Sequence, residues 1–270
     1  MGDVYRARDT RLDRIVAVKV SKENFSERVE QEARAAAALN HHHICTLHDV
    51  GPNFLVMEYV EGIPLAGPLP LEPALKYASQ ICQALEGGHK KGVTHRDLKP
   101  ANIMVTKSGG VKLLDFGLAK LKPAIVGSDA ATMALTGVGQ IVGTLNYMSP
   151  EQVQGQEGGP ASDIFSFGLV LYEMVTGKRA FDGTNPASVI AAILERPAPS
   201  VADMAPAALD RALKRCLEKD PDNRWQSARD LRAELEWIAS QGGETAAADG
   251  TPTVGRGTRW VSMAWALSAV

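Results

Sequence analysis

The chain opens with strand-like runs. Val4-Tyr5 and Ile15-Val16-Ala17-Val18-Lys19-Val20 are rich in β-formers and flank the polar stretch Asp9 to Arg14, which predicts two strands and a turn. The period then changes. Within Glu27 to Asn40, Val29, Ala33, Ala36, Ala37 and Leu39 fall near helical spacing, and Ser26 stands where a cap belongs. Cys45 to Val50 and Phe54 to Tyr59 predict two more strands, turned by Gly51-Pro52-Asn53.

After Gly62 the pattern becomes mainly helical. Leu71 to Lys91 carries Leu75, Ala78, Ile81, Cys82 and Leu85 on one face. Ile103 to Val105 and Val111 to Leu114 are short strands, with Lys107-Ser108-Gly109-Gly110 as a hairpin turn. Residues 118 to 150 lack periodicity, and a loop of that length inside a compact domain is usually functional. Asp163 to Thr176 is apolar nearly all round, which predicts a buried helix stopped by Gly177. Pro186 to Leu194, Pro206 to Glu218 and Gln226 to Ala239 predict three more helices. No internal repeat is present.

Charge and composition narrow the function. Lys plus Arg is 29 against 31 for Asp plus Glu, a balance that leaves no excess cation for a phosphate backbone and argues against a nucleic-acid partner. The apolar fraction of 45% excludes an acidic disordered chain. Cys45, Cys82 and Cys216 are far apart and odd in number, which fits a reducing compartment with buried or inert thiols better than a disulfide or zinc scaffold. Met1 to Asp13 is charged and has no apolar core of a signal peptide.

Four residue groups then stand out in fixed order. Val16-Ala17-Val18-Lys19 ends near a lysine. Glu32 lies on the following helix. His95-Arg96-Asp97-Leu98-Lys99-Pro100-Ala101-Asn102 follows another helix, and Asp115-Phe116-Gly117 opens the long loop. Together they resemble the protein kinase superfamily, and within it the bacterial serine/threonine kinases of eukaryotic type. The resemblance runs from Gly2 to about Ala239. It implies an α+β, bilobal kinase-like fold. Residues 1–60 would form a small β-sheet lobe with one helix and its first strand missing, and 61–240 a larger, mainly helical lobe.

The resemblance also implies roles. Transfer of a γ-phosphoryl group needs phosphate charge neutralised and a hydroxyl held in line. Lys19 would hold the α- and β-phosphates of ATP, and Glu32 would pair with it, with Glu27 and Glu30 as competitors. Asp115 and Asn102 would hold Mg2+, with Mn2+ as a substitute. Asp97 would orient the acceptor hydroxyl and take its proton. Lys99 would reach the moving phosphate and marks Ser/Thr specificity. Gly2, Val4, Ala17 and Met104 would surround the nucleotide, with backbone groups of Glu58 and Val60 facing the base and Met57 behind it. Arg96 would meet a phosphate on the activation loop, where Thr136, then Thr132, are the expected sites and Ser128 is disfavoured. Thr144 would position substrate against Asp97 and Lys99. Asp163 would hold the backbone near His95 and Arg96, and Glu151 would pair with Arg224. His41-His42-His43 point in different directions and would chelate poorly as a unit.

The ends depart from the family pattern. The glycine-rich loop begins at its last glycine, Gly2, which leads us to expect an incomplete start. Residues 241–259 are expected as a flexible linker. Trp260 to Val270 follows Arg256 and Arg259 and is too short for a span of about 20 residues, so it is expected either as the start of a cut-off membrane helix or as an apolar tail or docking segment. The first of these would give a single-pass inner-membrane protein with a cytoplasmic kinase domain, touching membrane only if that helix is completed. Its partners would be proteins with Ser/Thr acceptors and a second copy for autophosphorylation in trans. The alternatives are a nucleotide-binding pseudokinase or scaffold, weakened by the missing glycines, and a small-molecule phosphotransferase.

Overall fold

The structure, a computed structural model, describes residues 3–118 and 145–248. Strand β1 (Asp3–Asp9) pairs antiparallel with β2 (Arg14–Val20), Val4 opposite Lys19 and Arg6 opposite Ala17. Directly opposed residues share a face, so Val4, Ala17 and Lys19 lie on one side of the sheet. Strands β3 (Leu47–Val50) and β4 (Phe54–Glu58) complete an antiparallel sheet of order β1-β2-β4-β3, with Ala17 opposite Met57 and Lys19 opposite Leu55. Helix α1 (Glu27–Ala37) brings Ala33 and Ala36 into a small core with Leu47, Leu55, Met57 and Leu118. Ser26 caps it by accepting the Val29 N–H at 3.4 Å, as its position predicts.

The second part is larger and mainly helical. Strand β5 (Gly62–Pro64) leads into α2 (Leu71–His89). Strands β6 (Ile103–Thr106) and β7 (Val111–Leu113) form a hairpin, and β5 adds to the β6 edge to give the order β5-β6-β7. Helix α3 (Pro150–Val153) is a single turn, started by a capping box between Ser149 and Gln152. Helix α4 (Pro160–Thr176) is buried almost throughout from Ser162 to Val175 and stops at Gly177, whose φ of 68° suits glycine. Helices α5 (Pro186–Glu195), α6 (Ala207–Cys216) and α7 (Ala228–Ala248) follow. Helix α4 packs between α2 and α6, and α7 lies along α2.

Four elements differ from the sequence reading, the first being the single turn α3, which directly follows the stretch read as a long loop. Strand β5 was not expected, since three exposed residues carry no periodicity and only the β6 edge defines them. Helix α4 starts at Pro160, three residues before Asp163, because proline is well suited to the first helical turn. Helix α7 continues to Ala248, so the segment expected as linker from 241 begins helical; Glu244 and Ala246-Ala247-Ala248 are good helix formers. Among the described residues no helix is long and apolar enough to cross a membrane, and Trp260 to Val270 lies outside them.

Candidate active site

The loop after α2 is fixed from below by one buried carboxylate. Asp163, on α4, accepts the backbone N–H groups of His95 and Arg96 at 2.8 and 2.7 Å, and its Oδ2 is also 2.8 Å from His89 Nε2. Arg96 has a φ of 64°, a left-handed conformation that a non-glycine residue holds only when its surroundings fix it. The two bonds to Asp163 do that here. Gln152 adds a third, donating to the Arg96 carbonyl at 2.8 Å.

His95 is fully buried and spans the loop. Its Nδ1 accepts the Asp97 N–H at 3.3 Å, and its Nε2 faces the Leu114 carbonyl at 3.0 Å. These partners fit a neutral ring protonated on Nε2. Burial is the main cause that pushes its pKa below the ordinary histidine value. The ring meets Phe116 edge-on at 5.1 Å, and Phe116 occupies the space where a Cβ on Gly88 would sit, 2.3 Å from its ring atoms.

Asp97 is held on two sides. Asn102 Nδ2 donates to Asp97 Oδ2 at 2.9 Å and to the Asp97 carbonyl at 2.8 Å. Lys99 Nζ donates to Asp97 at 3.2 Å, and both side chains are nearly buried. The Leu114 N–H donates to the Asn102 carbonyl at 2.8 Å, which brings the residue before Asp115 beside this group. Asp115 has a φ of 54° and accepts from Lys19 Nζ at 2.5 Å. These contacts bring Lys19, Asp97, Lys99, Asn102 and Asp115 together in one cleft.

Glu32 departs from that reading. The ion pair of Lys19 among the described residues is with Asp115, while Glu32 Oε1 lies 3.5 Å from Arg96 and 4.0 Å from Arg28. The physical reason is local charge. Lys19 is already neutralised by Asp115, and Arg96 presents its guanidinium toward α1 from a fixed loop. Arg96 is held by the Gly158 carbonyl at 3.2 Å and by Glu157 at 3.0 Å. Neither Glu157, Arg28 nor His89 was singled out from the sequence. Glu157 sits in a glycine-rich stretch with no motif, so no local signal marks it.

Asn102 and Asp115, the residues expected to hold magnesium, have donor atoms that suit it. Asn102 spends its amide N–H on Asp97, which turns its carbonyl oxygen outward from that contact. Asp115 uses Oδ2 for Lys19, and its second oxygen completes a pair of hard donors. One or two protein oxygens, with substrate phosphates, are what magnesium usually takes. The nucleotide walls are less enclosed: Val4 is 61% exposed, and Ala17 and Met104 are half-buried. Glu58 turns its side chain away to Lys112, at 2.8 Å, and to the Thr46 N–H. Burial raises its pKa, but Lys112 and Thr46 outweigh that and hold it below the usual range. Gly2, Thr132, Thr136 and Thr144 lie outside the described residues, as does Ser128. His43 Nδ1 bonds the Val111 carbonyl at 2.8 Å and its N–H donates to His41 Nδ1, so these rings serve the backbone.

The expected pair beneath the site is present. Arg224 is fully buried and meets Glu151 with two parallel bonds of 2.8 Å. Its remaining N–H groups go to the carbonyls of Glu218, Ala161 and Lys219. All five donors of the guanidinium are satisfied, which is what makes its burial tolerable. Burial pushes the Glu151 carboxyl up, but Arg224 and Ser162 outweigh it and hold the pKa at about 2.

This combination of a sheet-borne lysine, a loop aspartate braced by asparagine and lysine, and a second aspartate after a short hairpin defines a phosphotransferase class. The protein kinase domain family matches residues 1–235, and the chain belongs to that family. It is similar to a probable serine/threonine-protein kinase of Clostridium acetobutylicum, 40% identical over 251 residues, covering 86% of this chain and 37% of that protein. It is also similar to the serine/threonine-protein kinase PknB of Mycolicibacterium smegmatis, 40% identical over 259 residues, covering 87% of this chain and 40% of that one. PknB of Mycobacterium tuberculosis is 39% identical over 258 residues, with the same shares. The chain thus spans about two fifths of the length of these curated relatives.

Proposed function

We propose that this domain transfers the γ-phosphoryl group of ATP to serine and threonine hydroxyls of proteins, including a second copy of itself. The observation that carries this is Asp97, braced by Asn102 and Lys99 in the cleft that also holds Lys19 and Asp115. An acceptor hydroxyl beside Asp97 gives its proton to the carboxylate as its oxygen attacks phosphorus. Lys99, fixed within reach of Asp97, balances charge on the group in transit. Lys19 exchanges Asp115 for the α- and β-phosphates. Asn102 and Asp115 are the residues that would hold magnesium, which supplies charge neutralisation for the phosphates. Val4, Ala17 and Met104 pack the adenine, and the Glu58 carbonyl and Val60 N–H face its edge. Arg96 receives a phosphate from the loop bearing Thr132 and Thr136, and Thr144 seats the acceptor residue. The domain acts in the cytoplasm.

The test is transfer of label from γ-labelled ATP to a generic protein with magnesium, followed by acid hydrolysis. Label on phosphoserine and phosphothreonine is expected. A folded protein that binds ATP and transfers nothing is a scaffold, and label confined to a small molecule makes it a different phosphotransferase.

A further inference from the structure

Helix α6 carries a positive face. Arg211, Lys214 and Arg215 stand at i, i+3 and i+4, the spacing that puts them on one side of a helix, while Leu209, Ala212, Leu213 and Cys216 are buried against the core. With Glu218, just after the helix, and Asn223, at the end of the turn Pro221–Asn223, the three cations line an open cavity of about 470 Å³. None of the five belongs to the cleft of Asp97. The cavity is positive on a chain whose formal charge is −2.

Two of the cations have no anionic partner among the described residues. Lys214 pairs with Asp210 at 2.7 Å, but no described carboxylate lies within 4.0 Å of the Arg211 or Arg215 guanidinium. Arg215 is also held in place. Its Cζ lies over the Trp225 ring, 4.2 Å from the centre, and Trp225 Nε1 donates to the Ala212 carbonyl on α6 at 3.2 Å. Stacking uses the face of a guanidinium and leaves its N–H edges for an oxyanion. Glu218 narrows the choice of ligand. A run of anions, as in nucleic acid or a polyacidic segment, would set a like charge against that carboxylate. One compact dianion can sit between the arginines and leave Glu218 to solvent, where it is exposed.

Resting on the kinase reading for its source, we propose that this cavity binds the phosphate of a phosphoserine or phosphothreonine on a protein the domain has already modified, and holds that protein for transfer to a further hydroxyl. Such a phosphate carries a charge of about −1.5 to −2 and three strong acceptor oxygens, which suits two arginines better than a carboxylate does. Arg215 takes two of the oxygens through its paired N–H edge, and Arg211 takes the third. Asn223 offers an amide N–H whose contact with Asp220 Oδ2 is a long 3.4 Å, and Lys214 adds charge from its place beside Asp210.

The experiment reads docking and phosphoryl transfer separately. The full chain is titrated, without ATP, into a fluorescent peptide bearing one phosphothreonine, and binding is read by anisotropy. Matched peptides carry threonine or glutamate at that position. The phosphopeptide is expected to bind about tenfold or more tightly than either. Arg211→Gln combined with Arg215→Gln should reduce it to the level of the threonine peptide at the parent's melting temperature. Arg215→Lys alone should weaken it severalfold, because an ammonium makes no paired contact. With ATP and magnesium, an acceptor peptide bearing a distal phosphothreonine should show a lower KM than its unphosphorylated form, at equal kcat, in the parent and not in the double variant. Equal binding of the three peptides, or the parent's affinity in the double variant, overturns the site. Inorganic phosphate that displaces the peptide at equal concentration makes this a free-anion site and overturns the docking. Phosphopeptide binding that the double variant loses, with no transfer from ATP by the parent, keeps the site and overturns the kinase reading.

Discussion

Lys19 and Asp115 form a direct ion pair of 2.5 Å, joining strand β2 to the residue that follows Leu114. Both side chains are less than one fifth exposed, so the contact is only weakly screened. Each group cancels the charge the other needs for chemistry. In the proposed reaction, phosphates would take Lys19 and a cation Asp115, and each would first have to displace the other partner.

Replacing Asp115 with asparagine removes one carboxylate oxygen and its charge while keeping the shape. Asp115→Asn is expected to keep the parent's melting temperature within a few degrees and to lose metal-dependent transfer by about a hundredfold or more. Titration of activity with magnesium checks it. Full activity with the parent's metal dependence would remove Asp115 from the site.

The Glu151–Arg224 pair bears on stability instead. Arg224→Ala leaves a mostly buried carboxylate without its partner, at a cost of about 3–5 kcal/mol, which lowers the melting temperature by roughly 10 °C. The pair also sets an acid limit. Glu151 has a folded pKa of about 2 against an ordinary 4.5, so its contribution is complete above pH 4.5 and is lost as pH falls toward 2. Denaturant midpoints across that range should fall in the parent and fall less in Glu151→Gln.

His95 predicts a second, milder window. Its folded pKa lies below the ordinary 6.5, so the folded state favours the neutral ring. That contribution is complete above pH 6.5 and is lost as pH falls through and below that value. Nitrogen-resolved NMR should find the proton on Nε2 at pH 7. His95→Phe keeps the ring against Phe116 but loses both bonds, and transfer should fall by about tenfold or more through loss of the Asp97 backbone contact. A ring already charged at pH 7 would contradict this placement.

Much of this site was legible because its chemistry is local in sequence. His95 to Asn102 are consecutive, so the bonds from Asn102 and Lys99 to Asp97 need only one loop to fold. Lys19 and Ala17 share a face through the two-residue period of a strand. The partner of Glu32 was not legible, because it depends on where α1 sits relative to a loop more than sixty residues later. Glu157 was silent for the same reason, and strand β5 exists only through its neighbour β6. Helix α7 overran its expected end because two glycines at 242 and 243 read as a linker, whereas the residues around them favour helix.

In the proposed reaction, Asp97 takes the proton of an attacking serine or threonine. Parent protein and Asp97→Asn should be compared with γ-labelled ATP, magnesium and a protein acceptor, with phosphoamino acids identified. Phosphoserine and phosphothreonine are expected from the parent, and a rate lower by about a hundred- to ten-thousandfold from a variant that still folds and binds ATP. Equal rates from the two proteins would contradict it.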